Sequence, residues 1–198
     1  MNDLRRGRPR DESCGPAILA AAIELVGEVG IAALTMDAVA ARAGVGKATI
    51  YRRWSSKEAL MLDAWKSAVQ KPDAPDTGSL REDLRVLFAP HDQQLSGETM
   101  QRIFPQMIAA AKVNPEVGEA YREFIAERRR PMRTVLERAV GRGDLPADSD
   151  LDLVHDLLVA PILYRWMVSD GVVDDDVIER LIAIVVAGAT SNLTTARR

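Results

Sequence analysis

Cysteine occurs once, at Cys14, so no internal disulfide can form. The two histidines, His91 and His155, are far apart and leave no Cys/His spacing for zinc. Neither stands beside a Ser or Cys in a recognisable nucleophile motif, and there is no Gly-rich phosphate loop and no HExxH. Nothing therefore proposes catalysis, a metal or a bound cofactor. No apolar run approaches the roughly 20 residues of a membrane-spanning helix. The Arg-rich N-terminus lacks the apolar stretch of a signal peptide before residue 17. A cytoplasmic protein with no membrane partner is the expectation. Alternating β-branched patterns between glycine turns are missing too, so no sheet is expected.

What the chain does contain is 47% hydrophobic and 28% charged residues, the balance of a globular protein rather than a disordered one. Its 198 residues suffice for one ordinary domain, or a small domain joined to a larger one. The net charge of −3 is unevenly spread. Residues 1–57 hold nine Lys/Arg and six acids, so the N-terminal part is basic and the remainder acidic. Attraction for phosphate is thus confined to one end.

Residues 1–15 are polar and read as a flexible basic arm. Pro16 opens a helix through Ile18, Ala22, Leu25, Val26 and Val29 that Gly30 ends. Thr35 caps a short second helix with Met36, Val39, Ala40 and Ala43 inward. Gly44-Val45-Gly46 makes a tight turn into a further short helix, Lys47 to Trp54. Ser55 and Glu58 read as a capping box opening a fourth helix to about Gln70. Residues 71–78, rich in Pro and Gly, mark a joint. Ser79 and Glu82 form a second capping-box pattern, and helices follow at about 79–89, 98–112, 115–140, 151–168 and 174–193. The fold class is all-α: a helix-turn-helix domain at 16–70 and a larger helical ligand-binding and dimerisation domain at 79–198.

Two short helices about a glycine turn are the local pattern of a helix-turn-helix. Ile50 and Trp54, four apart, would pack the second helix, leaving Lys47, Thr49, Arg52 and Arg53 outward. Arginine is well shaped to read guanine through two hydrogen bonds. Gly46 leaves room for a phosphate at the helix N-terminus, Tyr51 can donate its hydroxyl to another, and Lys57 can hold a third. The stretch Leu34–Leu60 resembles the N-terminal domain of the TetR family of bacterial regulators, through Leu34-Thr35, the AARAGV turn at Ala40–Val45, Ile50-Tyr51-Arg52-Arg53-Trp54, and Lys57-Glu58 with Leu60. Trp54 departs mildly, since the family more often has Phe there. The resemblance implies that Thr35 and Lys57 clamp phosphates, Tyr51 contacts the backbone, and Lys47, Thr49 and Arg52 lie nearest the bases. The arm's Gly7-Arg8-Pro9, flanked by Arg6 and Arg10, resembles an AT-hook; a minor-groove reader and a merely basic tail both remain open.

Beyond the joint, Phe88, Met100, Phe104, Met107, Tyr121, Phe124, Met132 and Trp166 could line an adaptable pocket or serve as plain core. The family resemblance places a pocket for a small effector in this half. The last two helices are too apolar for solvent. By resemblance they form a symmetric four-helix dimer interface, with Leu157, Leu158, Pro161, Tyr164 and Arg165 on one and Leu181, Ile184, Val185 and Gly188 on the other. The run from Arg142-Gly143-Asp144-Leu145 to Tyr164-Arg165 resembles a C-terminal subset of the same family. The implied mechanism is a homodimer on double-stranded DNA, most simply a repressor on a palindromic operator, released when a small apolar or amphipathic effector moves the helix at 115–140. A helical adaptor that binds small molecules but no operator is the rival reading.

Overall fold

The computed structural model describes residues 14–68, 73–89, 97–169 and 171–190, with the side chains of 97–102 outside that description. Within it the chain is helical and without strands: α1 (Cys14–Ala33), α2 (Met36–Arg42), α3 (Lys47–Tyr51), α4 (Lys57–Ala68), α5 (Leu80–Phe88), α6 (Gly97–Val113), α7 (Pro115–Arg142), α8 (Leu151–Met167) and α9 (Asp175–Thr190). The all-α expectation is met.

The helices form two compact units, and the division is not a single cut at the 71–78 joint. The first comprises residues 1–69 and 94–121, the second 70–93 and 122–198. Helix α6 and the first turns of α7 thus join the N-terminal helices, because α6 packs on α1 and α4.

In the first unit α1 is the central element, touching α2, α4 and α6. It buries Ile18, Ala21, Ala22, Leu25, Val26 and Ile31. Gly30 does break the helix, at φ 75 and ψ 163, a region open to glycine and closed to residues with a Cβ. One further turn then carries the chain to Ala33. The expectation that no segment reaches membrane-spanning length and apolarity needs correcting. Helix α1 does reach it, because alanines raise its hydropathy without a run of large side chains. It lies in the core of its unit, with Glu24 and Glu28 on its exposed side.

The second unit gathers Leu80, Leu84, Met132, Val135, Leu136, Ala139, Leu145, Val154, Leu158, Ile182 and Val185 into one apolar core between α5, α7, α8 and α9. At its edge sits the buried Asp83. Its carboxylate accepts hydrogen bonds from the Thr77 N–H at 2.7 Å, the Thr77 hydroxyl at 2.8 Å and Arg142 Nη2 at 3.1 Å. Arg138 Nη1 donates to the carbonyls of Ala74 and Pro75, fastening the segment before α5 to α7. Arg81 and Arg85 pair with Glu179, tying α5 to α9.

Neither expected capping box forms. Ser56, not Ser55, caps α4 by accepting from the Ala59 N–H at 3.1 Å. Ser55 Oγ instead donates to Glu116 Oε2 at 3.1 Å. Ser79 makes no side-chain cap, and the Leu80 N–H is taken by Asp144 Oδ2 at 3.2 Å.

Candidate DNA-binding interface

The reading unit is built from local signals. Thr35, extended at φ −126, caps α2 by accepting from the Ala38 N–H at 3.1 Å. The turn after α2 closes through the Val45 N–H onto the Ala40 carbonyl, with Gly44 at φ +66, where a side chain would be strained. Helix α3 is only five residues, shorter than the Lys47–Trp54 expected, although the Arg53 and Trp54 N–H groups still bond to the Ile50 carbonyl. So short a helix is marginal by itself. Ile50, fully buried, and Trp54, 7% exposed, hold it in place. The Trp54 indole N–H donates to Asp63 Oδ2 at 2.9 Å, a bond that a phenylalanine could not make.

The opposite face is open. Lys47, Ala48, Tyr51, Arg52 and Arg53 are exposed, Tyr51 by 55%, and Thr49 is half-buried. Gly46, the N-cap of α3, has an ordinary φ of −71 and open space where a Cβ would stand. Nothing among the described residues therefore requires glycine at that position. Lys47 Nζ pairs with Asp37 Oδ2 on α2 at 2.5 Å. Arg42 is held by Glu28 at 2.8 Å and Glu24 at 3.4 Å, which locks α2 to α1. That hydrogen bond lowers the Glu28 carboxyl below its ordinary pKa.

Other predicted contacts have partners already. Lys57 Nζ donates to the carbonyls of Ile31 and Ala32 at 3.2 and 3.4 Å, at the end of α1. Arg53 does not project freely: its guanidinium lies over Gly15, where a Cβ would stand 2.6 Å from Nη1. Arg52 has no ion pair among the described residues. The arm residues Arg6, Arg8 and Arg10 lie outside the described residues.

The eight pocket candidates are divided between the two units. Phe104, Met107 and Tyr121 belong to the first unit; Phe88, Phe124, Met132 and Trp166 belong to the second; the Met100 side chain is outside the description. Phe104 and Tyr121 pack about Trp65, with ring centroids 5.4 and 6.2 Å away. Trp65 lies on α4, and no sequence signal links it to them. Burial raises the Tyr121 hydroxyl above its ordinary pKa. Phe88 and Met132 belong to the second unit's core or its edge.

The dimer candidates divide by helix face. Leu157 (49% exposed), Tyr164 (59%) and Ile184 (71%) are uncovered, as are Pro161 and Gly188. Leu158 and Val185, also expected at the dimer interface, are buried in the core of their own unit, with Leu181 packed against it. Leu153, 55% exposed, joins the uncovered face instead. An open groove of about 750 Å³ runs along this face, lined by Leu157, Pro161, Tyr164 and Arg165 among others.

Comparison with known proteins agrees with this architecture. Residues 18–64 match the bacterial regulatory proteins of the tetR family, and residues 74–185 match the tetracyclin repressor-like C-terminal domain. The HTH-type transcriptional regulator YdeS of Bacillus subtilis (strain 168) is 34% identical over 193 residues, covering 96% of this chain and 97% of its own. A DNA-binding transcriptional repressor, TetR, of Mycobacteroides abscessus is 34% identical over 180 residues, with 87% and 92% covered. The crystal structure of the TetR family transcription regulator SCO0332 superposes with a TM-score of 0.69 at 32% identity, covering 89% of this chain and 98% of that one. Family and relatives are transcriptional regulators rather than enzymes. The chain belongs to the TetR family of helix-turn-helix transcriptional regulators.

Proposed function

We propose that this regulator represses transcription by occupying a palindromic operator as a homodimer, and that a small apolar or amphipathic effector releases it. The observation carrying the reading is the two-faced segment 47–54, α3 and the turn after it: Ile50 and Trp54 buried, Lys47, Tyr51 and Arg52 exposed on the other side. A rod so held can enter a major groove without unfolding its own unit. In this reading Thr35 and Tyr51 meet backbone phosphates, and Lys47, Thr49 and Arg52 meet base edges. Repression needs only occlusion, and a relative 34% identical is described as a repressor. Self-association is supported by the uncovered apolar face of α8 and α9. A cytoplasmic address goes with this work.

The effector proposal rests on the family's usual behaviour and on the aromatic side chains available in both units. An effector shifts the balance only by preferring the state that does not bind DNA; a hundredfold loss of operator affinity requires about 2.7 kcal/mol of such preference. The test of DNA reading uses Arg52→Ala on a duplex selected by the protein itself from a random library. The substitution is expected to cost about 1–3 kcal/mol and to relax the preference at one base position. Unchanged affinity and unchanged sequence preference would refute this assignment.

A further inference from the structure

We propose that Asp37 is a specificity-determining residue of the reading head: by holding the Lys47 ammonium, it directs that cation toward neutral acceptors on base edges and away from phosphates. The inference rests on the DNA-reading proposal above. Lys47 opens α3, Asp37 lies in the first turn of α2, and their side chains meet at 2.5 Å between Nζ and Oδ2. Both are well exposed, at 65% and 53%, and an ion pair so wet adds little to folding stability. Its consequence lies in what it presents to a ligand.

Any group that takes Lys47 Nζ must come within a hydrogen bond of an ammonium already touching a carboxylate. Lysine has three donor protons, so one can stay with Asp37 while two reach outward. The O6 and N7 acceptors of guanine are neutral and can share the ammonium with Asp37. A phosphate brings a second negative charge beside the carboxylate and is repelled. The Asp37 hydrogen bond also raises the Lys47 pKa above the ordinary lysine value, so the cation stays charged. Other basic groups nearby are differently placed. Arg42 is locked to Glu24 and Glu28. Arg52 carries no ion pair among the described residues and is left to meet either phosphate or base.

The experiment titrates the full-length chain against its selected duplex and a scrambled duplex at several salt concentrations, reading binding by fluorescence anisotropy. Asp37→Asn is expected to tighten binding to scrambled DNA about two- to fivefold per reading head. The slope of log affinity against log salt should steepen by about 0.9 for each phosphate that Lys47 then takes. The ratio of selected to scrambled affinity should fall accordingly. Asp37→Glu, which keeps the charge, should restore the wild-type slope. In a Lys47→Ala background, Asp37→Asn should no longer change the slope. A slope and ratio unmoved by Asp37→Asn, or a slope change that persists without Lys47, overturns the inference while leaving DNA reading intact. A wild-type chain with no preference for its selected duplex overturns both.

Discussion

Trp54 offers a quantitative test of how α3 is held. Its side chain is 7% exposed and packs beneath a helix of five residues, beside the fully buried Ile50. Trp54→Ala removes that ring and leaves a cavity, a change that costs about 3–5 kcal/mol in well-packed cores. Total stability is about 5–15 kcal/mol, so the loss is a large share of it. At about 2–4 °C per kcal/mol for a chain of this size, the melting temperature should fall by about 6–20 °C. Trp54→Phe keeps a ring but loses the 2.9 Å bond to Asp63. Asp63 is half exposed and regains water, so this change should cost only about 1–2 kcal/mol. Thermal unfolding followed by far-ultraviolet circular dichroism, beside operator binding measured well below each midpoint, separates fold from function. The alanine variant should lose binding even where the remaining helices are intact, because α3 has no stability of its own. The phenylalanine variant should bind. An alanine variant that melts within about 1 kcal/mol of wild type and still binds DNA would refute the anchoring argument.

The two turn glycines should separate stability from binding: Gly44→Ala, at φ +66, should destabilise by about 1–2 kcal/mol, whereas Gly46→Ala, with φ −71 and open space, should leave the melting temperature unchanged and weaken operator binding. Equal effects of both on stability would contradict this. Burial acts to raise the Asp83 carboxyl, but the hydrogen bonds from Thr77 and Arg142 outweigh it and hold the pKa below its ordinary value. A lowered folded-state pKa means that stabilisation is complete above the unfolded value near 3.9 and is lost as pH falls through the folded value. Asp83→Asn should therefore cost about 2–4 kcal/mol at neutral pH, and urea titrations should show the gap to wild type closing below about pH 4. A gap independent of pH would show that the charge is not the cause. Leu157→Glu with Tyr164→Glu, both on the exposed α8 face, should convert a dimer to monomer in sedimentation equilibrium without lowering the melting temperature of the protomer. A variant that stays dimeric would move the interface elsewhere.

Local chemistry was legible in the sequence, and long-range chemistry was not. The Thr35 cap, the Gly44 turn and the Ile50/Trp54 anchor depend on residues within a few positions, and the structure has all three. The capping box expected at Ser55 gives way to a cap by Ser56, and the bonds of Ser55 to Glu116 and of the Leu80 N–H to Asp144, each across more than 60 residues, are ones no local pattern announces. Helical periodicity marks Leu158 and Leu157 alike as apolar, yet one closes the core of its own unit and the other faces out. It likewise cannot tell that Phe104 and Tyr121 meet Trp65 while Phe88 and Met132 belong to another unit. The Asp37–Lys47 pair spans ten residues across a turn, and no periodic signal joins them.

The most direct test of the central claim is to let the full-length chain select its own DNA and to map the protected bases. The account predicts a palindrome whose half-sites lie about 10–10.5 base pairs apart, or a whole multiple of that, with protection on one face of the duplex. It also predicts that protection is lost when Lys47 and Arg52 are replaced by alanine. Selection of a single unrepeated site, or a footprint indifferent to both residues, would contradict it.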